Sequence, residues 1–157
     1  MSAASLVALC TAKNLRVATA ESCTGGLVAA ALTAIPGSSA VFTHGFVPYA
    51  NEAKTQLLGV PAALLVTYGA VSSETAAAMA TGARDRAGAD LAIATTGIAG
   101  PDGGSAEKPV GLVWFGLAGP HGVTTYHRIF PGNRDEIRQA SVDYALALLR
   151  EGAGAKI

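Results

Sequence analysis

The chain has 157 residues with 11 basic and 11 acidic side chains, so its formal net charge at neutral pH is zero. Without a positive surplus or a run of either charge, DNA and RNA are not expected partners. The length fits a single domain over residues 1–157, and no window approaches the ~20 apolar residues that cross a bilayer, so we expect a cytoplasmic protein and no membrane partner.

The first part of the chain is predicted to alternate between helix and strand. Its elements are a helix through Leu6 and Cys10, a strand over Arg16–Ala20 and a helix over Leu27–Ile35. Gly25 and Gly26 mark the turn out of the strand. Ser22 is therefore predicted to lie at a strand-to-helix junction.

A second strand is predicted over Val41–Tyr49, which is rich in β-branched and aromatic residues. Gly45 and Pro48 within it favour an edge position, a bulge or an early end. The helix that follows is predicted to be capped by Asn51, which places Lys54 in its first turns.

The second half of the chain supplies a helix, a strand, a hairpin and a closing helix. The predicted ranges are a helix from Ser72 to Ala87, strands over Leu91–Thr95, Val110–Leu117 and Val123–Phe130, and a helix after Asn133 that frays over Gly152–Ile157. Ser72 has the position of an N-cap, and Asn133 with Glu136 has the spacing of a capping box. Because the hairpin adds antiparallel strands, we predict a three-layer α/β/α sandwich with a mixed, mostly parallel sheet.

Ser22 is the first candidate for chemistry, because open α/β sheets place their ligands at the carboxyl ends of strands. Backbone amides beside it could bind an oxyanion. Position alone supports equally well a serine that merely caps the next helix. Cys23 is a rival nucleophile, but in an extended chain its side chain points away from that of Ser22, so we assign Cys23, like Cys10, to packing.

A nucleophilic serine needs a base, and Lys54 is the best placed of the four lysines. His44 is a less supported alternative. A lysine base must be neutral, which requires a pKa lowered by burial or by a neighbouring cation such as Arg134. From position alone, however, a solvent-exposed helix lysine is the commoner case.

The segment Thr96–Ser105 is too rich in glycine to be regular. Its backbone N–H groups could hold a phosphate, although it matches neither of the common glycine-rich phosphate motifs, and a plain tight loop explains it equally well. The three histidines lack metal-ligand spacing. We therefore predict neither a metal site nor a cofactor.

Seven ordered segments together resemble the CinA carboxy-terminal family. They are Ala20–Gly26, Pro36–Ser39, Tyr49–Lys54, Gly69–Ser72, Thr96–Pro101, Glu107–Gly111, and Gly132–Arg134 followed by Arg138. The resemblance extends from about Val17 to Leu149, nearly the whole chain. The chain departs from the common pattern at His44, Pro48 and Ala50, which surround Tyr49.

The resemblance implies a stand-alone amidohydrolase that deamidates nicotinamide mononucleotide to nicotinic acid mononucleotide and ammonia in NAD recycling. It implies a Ser22–Lys54 dyad acting through an acyl-enzyme, with Tyr49 as a catalytic partner. The implied substrate-binding residues are Ser39, Thr96, Arg134, Gly25, Gly26 and Gly97, with Arg138 as a further candidate.

Two other functions remain open from the sequence. One is a noncatalytic nucleotide-binding or interaction module, since members of this family are also named for competence and damage induction. The other is an amidase that acts on a different small amide. The small, Ala-rich and Gly-rich chain also favours a homodimer.

Overall fold

The computed structural model describes residues 2–154, which form a five-stranded sheet with helices on both faces. The helices within these residues are α1 (Ala3–Ala12), α2 (Leu27–Thr33), α3 (Asn51–Leu58), α4 (Ala62–Tyr68), α5 (Ser73–Ala87) and α6 (Arg134–Gly154). The strands are β1 (Val17–Glu21), β2 (Phe42–Phe46), β3 (Leu91–Gly97), β4 (Leu112–Gly119) and β5 (Gly122–Ile129). None of these helices has both the length and the apolar character of a membrane span.

The sheet has the strand order β2-β1-β3-β4-β5. Strand β1 pairs in parallel with β2 and β3, whereas β4 runs antiparallel to both β3 and β5. Four strands therefore share one direction and β4 opposes them. The predicted mixed sheet is confirmed, although only half of its pairings are parallel.

Two apolar cores lie on opposite faces of the sheet, which confirms the three-layer sandwich. On one face, α1, α2 and α6 cover large residues such as Ile93 and Phe115. On the other face, α5 covers small residues such as Ala18 and Ala94. The approach of α5 is so close that a Cβ added to Gly116 would lie 2.3 Å from the carbonyl oxygen of Ala76. The alanine-rich sequence of α5 thus permits close packing on the sheet.

Most predicted element boundaries agree with the structure. The Ser72 side chain accepts a hydrogen bond from the Thr75 amide, as expected of an N-cap. The Asn133 side chain accepts from the Glu136 amide at 2.9 Å, and the Glu136 carboxylate accepts from the Asn133 amide at 3.0 Å. Strand β2 is at the edge, has an irregular register against β1 and ends at Phe46.

Other expectations were wrong. Ala50, not Asn51, is the N-cap of α3, and it makes no side-chain cap. Helix α4 was not predicted. Thr96 and Gly97 belong to β3 rather than to the loop, and α6 continues to Gly154 instead of fraying from Gly152. Residues 155–157 of the predicted frayed tail lie outside the described residues.

Candidate active site

Ser22 begins the turn that connects β1 to α2. Its amide donates to the carbonyl of Thr95 at 2.9 Å, and its carbonyl accepts from the amide of Gly25 at 3.1 Å. Gly25 and Gly26 both have positive φ, at 59° and 102°, a conformation that glycine adopts most readily. Gly26 is the N-cap of α2 and has no side chain to cap it. Ser22 is therefore not a helix cap, and its half-buried hydroxyl remains available for chemistry.

Lys54 reaches Ser22 from α3. Its side chain is only 1% exposed, and its Nζ lies 3.3 Å from Ser22 Oγ and 3.1 Å from the carbonyl oxygen of Tyr49. Burial lowers the pKa of Lys54 from its ordinary value of 10.5, while Cys23 and Glu52 act in the opposite direction. The lysine is thus buried, in contrast to the exposed helix lysine that position alone favoured, and close enough to take a proton from the serine.

Arg134 does not lower the pKa of Lys54, contrary to one of the two causes considered from the sequence. Its guanidinium donates to the carbonyl of Gly100 at 2.7 Å and to the Tyr49 hydroxyl at 3.3 Å. Tyr49 is 59% exposed. Arg134 and Tyr49 therefore form a rim that joins the start of α6 to the glycine-rich loop.

Cys23 belongs to the apolar core that α6 covers. Its side chain is 7% exposed, and burial raises the pKa of its thiol to about 11. A thiol with so high a pKa is a poor nucleophile at neutral pH. Cys10 is also fully buried, with a pKa raised by burial, so both cysteines occupy packing positions as expected.

Thr96 lies beside this site, near the end of β3. Its buried hydroxyl donates to the carbonyl of Ala70 at 2.7 Å, which ties the strand to the segment before α5. At Gly97 a Cβ would meet Val113 at 2.6 Å, so glycine there allows β3 and β4 to approach closely. Neither residue forms a hydrogen bond with Ser22 or Lys54.

Ser39 is not brought to this site within one chain. It lies in the short 3-10 turn before β2, at the end of the sheet where the parallel strands begin, whereas Ser22 follows the end of β1. The two ends are separated by the length of a five-residue strand, roughly 15 Å. His44 is exposed on the edge strand β2 and stacks on Phe46. It forms no hydrogen bond with Ser22 or Lys54.

Two groups hold the turn after Ser22: Glu21 was given no role from the sequence, and Arg138 was considered only as a candidate substrate contact. Glu21 is fully buried, and its carboxylate accepts hydrogen bonds from Thr24 Oγ1 and from the amides of Val28 and Ala29. Arg138 donates to the carbonyls of Cys23 and Thr24 at 3.2 and 3.3 Å. The signal for Glu21 was an acidic residue at the end of an otherwise apolar strand. For Arg138, the structure shows contacts with the turn itself.

The fold and the site define an α/β protein with a serine–lysine pair at the carboxyl edge of its parallel strands. The sequence matches the family described as CinA C-terminal domain over residues 1–153, and the chain belongs to that family. It is 56% identical to the nicotinamide-nucleotide amidohydrolase PncC of Enterobacter agglomerans, over 89% of this chain and 87% of that protein.

Solved structures and longer relatives agree with this assignment. The competence/damage inducible protein CihA from Agrobacterium tumefaciens superposes with a TM-score of 0.91 at 52% identity, covering 94% of this chain and 90% of that one. A CinA superfamily protein from Klebsiella pneumoniae gives 0.93 at 37% identity, covering 98% and 96%. The CinA-like protein of Geotalea uraniireducens is 59% identical over 84% of this chain, but the chain spans only 31% of that protein.

Proposed function

We propose that the protein hydrolyses the carboxamide of nicotinamide mononucleotide to nicotinic acid mononucleotide and ammonia, with Ser22 as nucleophile and Lys54 as general base. The observation that carries the proposal is the 3.3 Å approach of the buried Lys54 Nζ to Ser22 Oγ. The substrate follows from the name of the Enterobacter agglomerans relative, most of whose length this chain covers.

In the first step, neutral Lys54 takes the hydroxyl proton of Ser22 while Oγ forms a bond to the carboxamide carbon. The carbonyl π bond breaks and leaves a negative charge on oxygen. The backbone amides of Thr24 and Gly26 donate to no acceptor among residues 2–154, so they are available to this oxyanion. Burial favours the neutral lysine that the step requires, because it lowers the pKa of Lys54.

In the second step, the carbon–nitrogen bond breaks and the departing amine takes the proton from Lys54, which yields ammonia and a Ser22 ester. Lys54, neutral again, then takes a proton from water as the water oxygen attacks the ester carbon. When the ester bond breaks, Lys54 returns its proton to Ser22 Oγ, and the carboxylic acid product leaves. The carbonyl of Tyr49, 3.1 Å from Lys54 Nζ, accepts an N–H of the lysine and orients it.

The substrate nucleotide is held by the groups around the dyad. Arg134 is the cation for the phosphate, since its guanidinium lies at the rim and, among residues 2–154, bonds the uncharged groups of Tyr49 and Gly100. Four further residues are proposed to bind the substrate next to its reacting carbon: Thr96, Gly97, Gly25 and Gly26. Ser39 is too far from Ser22 of its own chain to contact the same substrate molecule. Its proposed role as a substrate contact therefore requires a substrate bound at Ser22 of another chain.

Incubation of the purified protein with nicotinamide mononucleotide, with free ammonia as the readout, tests the proposed function. Turnover supports it, whereas a shift in melting temperature without ammonia supports the noncatalytic nucleotide-binding module instead. Nicotinamide without its ribose phosphate is the matched second substrate. Equal turnover of both compounds would favour an amidase for a different small amide.

We also propose the remaining expectations from the sequence: one CinA carboxy-terminal domain over residues 1–157, a cytoplasmic location, a homodimer and a role in NAD recycling. Size-exclusion chromatography with light scattering tests the dimer. A monomer at micromolar concentration would contradict it.

A further inference from the structure

We propose that Glu21 is a positioning residue for the nucleophile, an inference that rests on the proposed function of Ser22. It does not touch the reacting atoms. It holds the turn that carries Ser22 and the backbone amides of Thr24 and Gly26, so that the hydroxyl stays within reach of Lys54.

The first observation is the burial of the Glu21 carboxylate together with its complete set of partners. The side chain has no exposed surface, yet Oε1 accepts from Thr24 Oγ1 at 2.6 Å and from the Val28 amide at 2.8 Å, and Oε2 accepts from the Ala29 amide at 3.0 Å. A buried carboxylate is tolerated only where donors replace the water it has lost. Here the donors come from the turn that follows Ser22 and from the first turn of α2.

The second observation is a closed ring of hydrogen bonds around the turn. Thr24 Oγ1 also lies 2.7 Å from Thr95 Oγ1, and the carbonyl of Thr95 accepts the amide of Ser22 at 2.9 Å. Glu21, Thr24 and Thr95 are all fully buried. The ring therefore ties the residue before the nucleophile and the residue two after it to the neighbouring strand.

The third observation is the opposite direction of two adjacent side chains. Glu21 faces α2, and Ser22 faces Lys54 on the other side of the strand end. Substitution of Glu21 therefore leaves the dyad, Tyr49 and Arg134 chemically intact. Its effect on the reaction must pass through the position of the turn.

The test compares Glu21→Gln, Thr24→Val and the double variant with the wild type. Two rates are measured: ammonia release from nicotinamide mononucleotide, and modification of Ser22 by a small sulfonyl fluoride without substrate, followed by peptide mass spectrometry. Leu6→Ala is the control, because Leu6 is fully buried in the core on the same face as Glu21 but belongs to α1. This variant is expected to lose stability through a core cavity while the hydrogen bonds of Glu21 keep all their partners.

We expect Glu21→Gln to lower kcat by about 100-fold with KM within about twofold, because a misplacement of ~1 Å is enough for such a loss while the substrate contacts remain. The sulfonyl fluoride should modify Ser22 more slowly by a similar factor. Since Glu21 acts through Thr24, the double variant should be no slower than Glu21→Gln. Leu6→Ala should match the wild type in both rates at a temperature where it is folded.

A folded Glu21→Gln variant with the kcat and modification rate of the wild type would overturn the inference, and so would an effect on KM alone. If Glu21→Gln does not fold, Thr24→Val decides by the same criteria. Failure of the proposed function is separate: a wild type that releases no ammonia but is modified at Ser22 contradicts the substrate, and the modification rates then decide the role of Glu21. A wild type resistant to modification at Ser22 contradicts both.

Discussion

Replacement of Lys54 by Met removes the proposed base while it keeps a side chain of similar length in the same space. Because the lysine is only 1% exposed, the unbranched methionine fills the cavity that a smaller residue would leave. General base catalysis contributes roughly 100-fold to 10,000-fold to a rate. We therefore expect kcat for ammonia release to fall by at least about 100-fold.

The difference in stability between the wild type and this variant is expected to depend on pH in a defined direction, because only the wild type carries the titrating Lys54. The pKa of Lys54 is 10.5 in the unfolded chain and lower in the folded protein because of burial. Lys54 therefore makes its most favourable contribution to the free energy of unfolding above pH 10.5. That contribution is lost as the pH falls from 10.5 towards the lower pKa of Lys54 in the folded protein. Methionine has no such dependence. It loses the hydrogen bond to Tyr49, about 1 kcal/mol.

Urea denaturation at pH 7 and pH 10 measures the effect on stability, and the ammonia assay measures the effect on rate. Relative to the wild type, Lys54→Met should be more stable at pH 7 than at pH 10. Lys13→Met is the matched control, since Lys13 also donates to a backbone carbonyl, that of Ala153, but lies away from the site. A folded Lys54→Met variant with more than a tenth of the wild-type kcat would refute the role of Lys54.

Three further predictions concern the surroundings of the dyad. Cys23, with its pKa raised to about 11, should resist iodoacetamide in the folded protein at pH 7.5 and react only in denaturant, which peptide mass spectrometry detects. Arg134→Gln should raise KM for the mononucleotide by at least about tenfold with a smaller effect on kcat, because it removes the proposed charge-assisted phosphate contact; an unchanged KM would exclude that contact. Gly116→Ala should lower the free energy of unfolding by about 1–3 kcal/mol in urea titrations, because its Cβ would clash with the carbonyl of Ala76.

The fold could be predicted where local sequence and tertiary packing agree. The N-cap Ser72 and the alanine-rich segment after it specify α5 without any distant contact. Helix α4 could not be predicted, because no polar side chain caps the apolar segment that follows Pro61. The last turn of α6 was also missed. It is stabilised by burial of Ala153 against the core, which the local glycines do not indicate.

The sequence allowed the candidate site residues to be named, but it did not show which of their side chains lie within contact distance of one another. Ser22 and Lys54 are 32 residues apart, and their contact depends on how α3 packs against α5 and α4. Ser39 was included by resemblance, whereas the parallel crossover returns it to the far end of the sheet. Glu21 was given no role from the sequence, because only the structure shows that its side chain and that of Ser22 face opposite ways.

The measurement that tests the central claim most directly is ammonia release from nicotinamide mononucleotide by two adjacent variants, Ser22→Ala and Cys23→Ala. The account expects no detectable turnover from Ser22→Ala and most of the wild-type turnover from Cys23→Ala, with both proteins folded by circular dichroism. The reverse result, or turnover by Ser22→Ala near that of the wild type, would contradict Ser22 as the nucleophile.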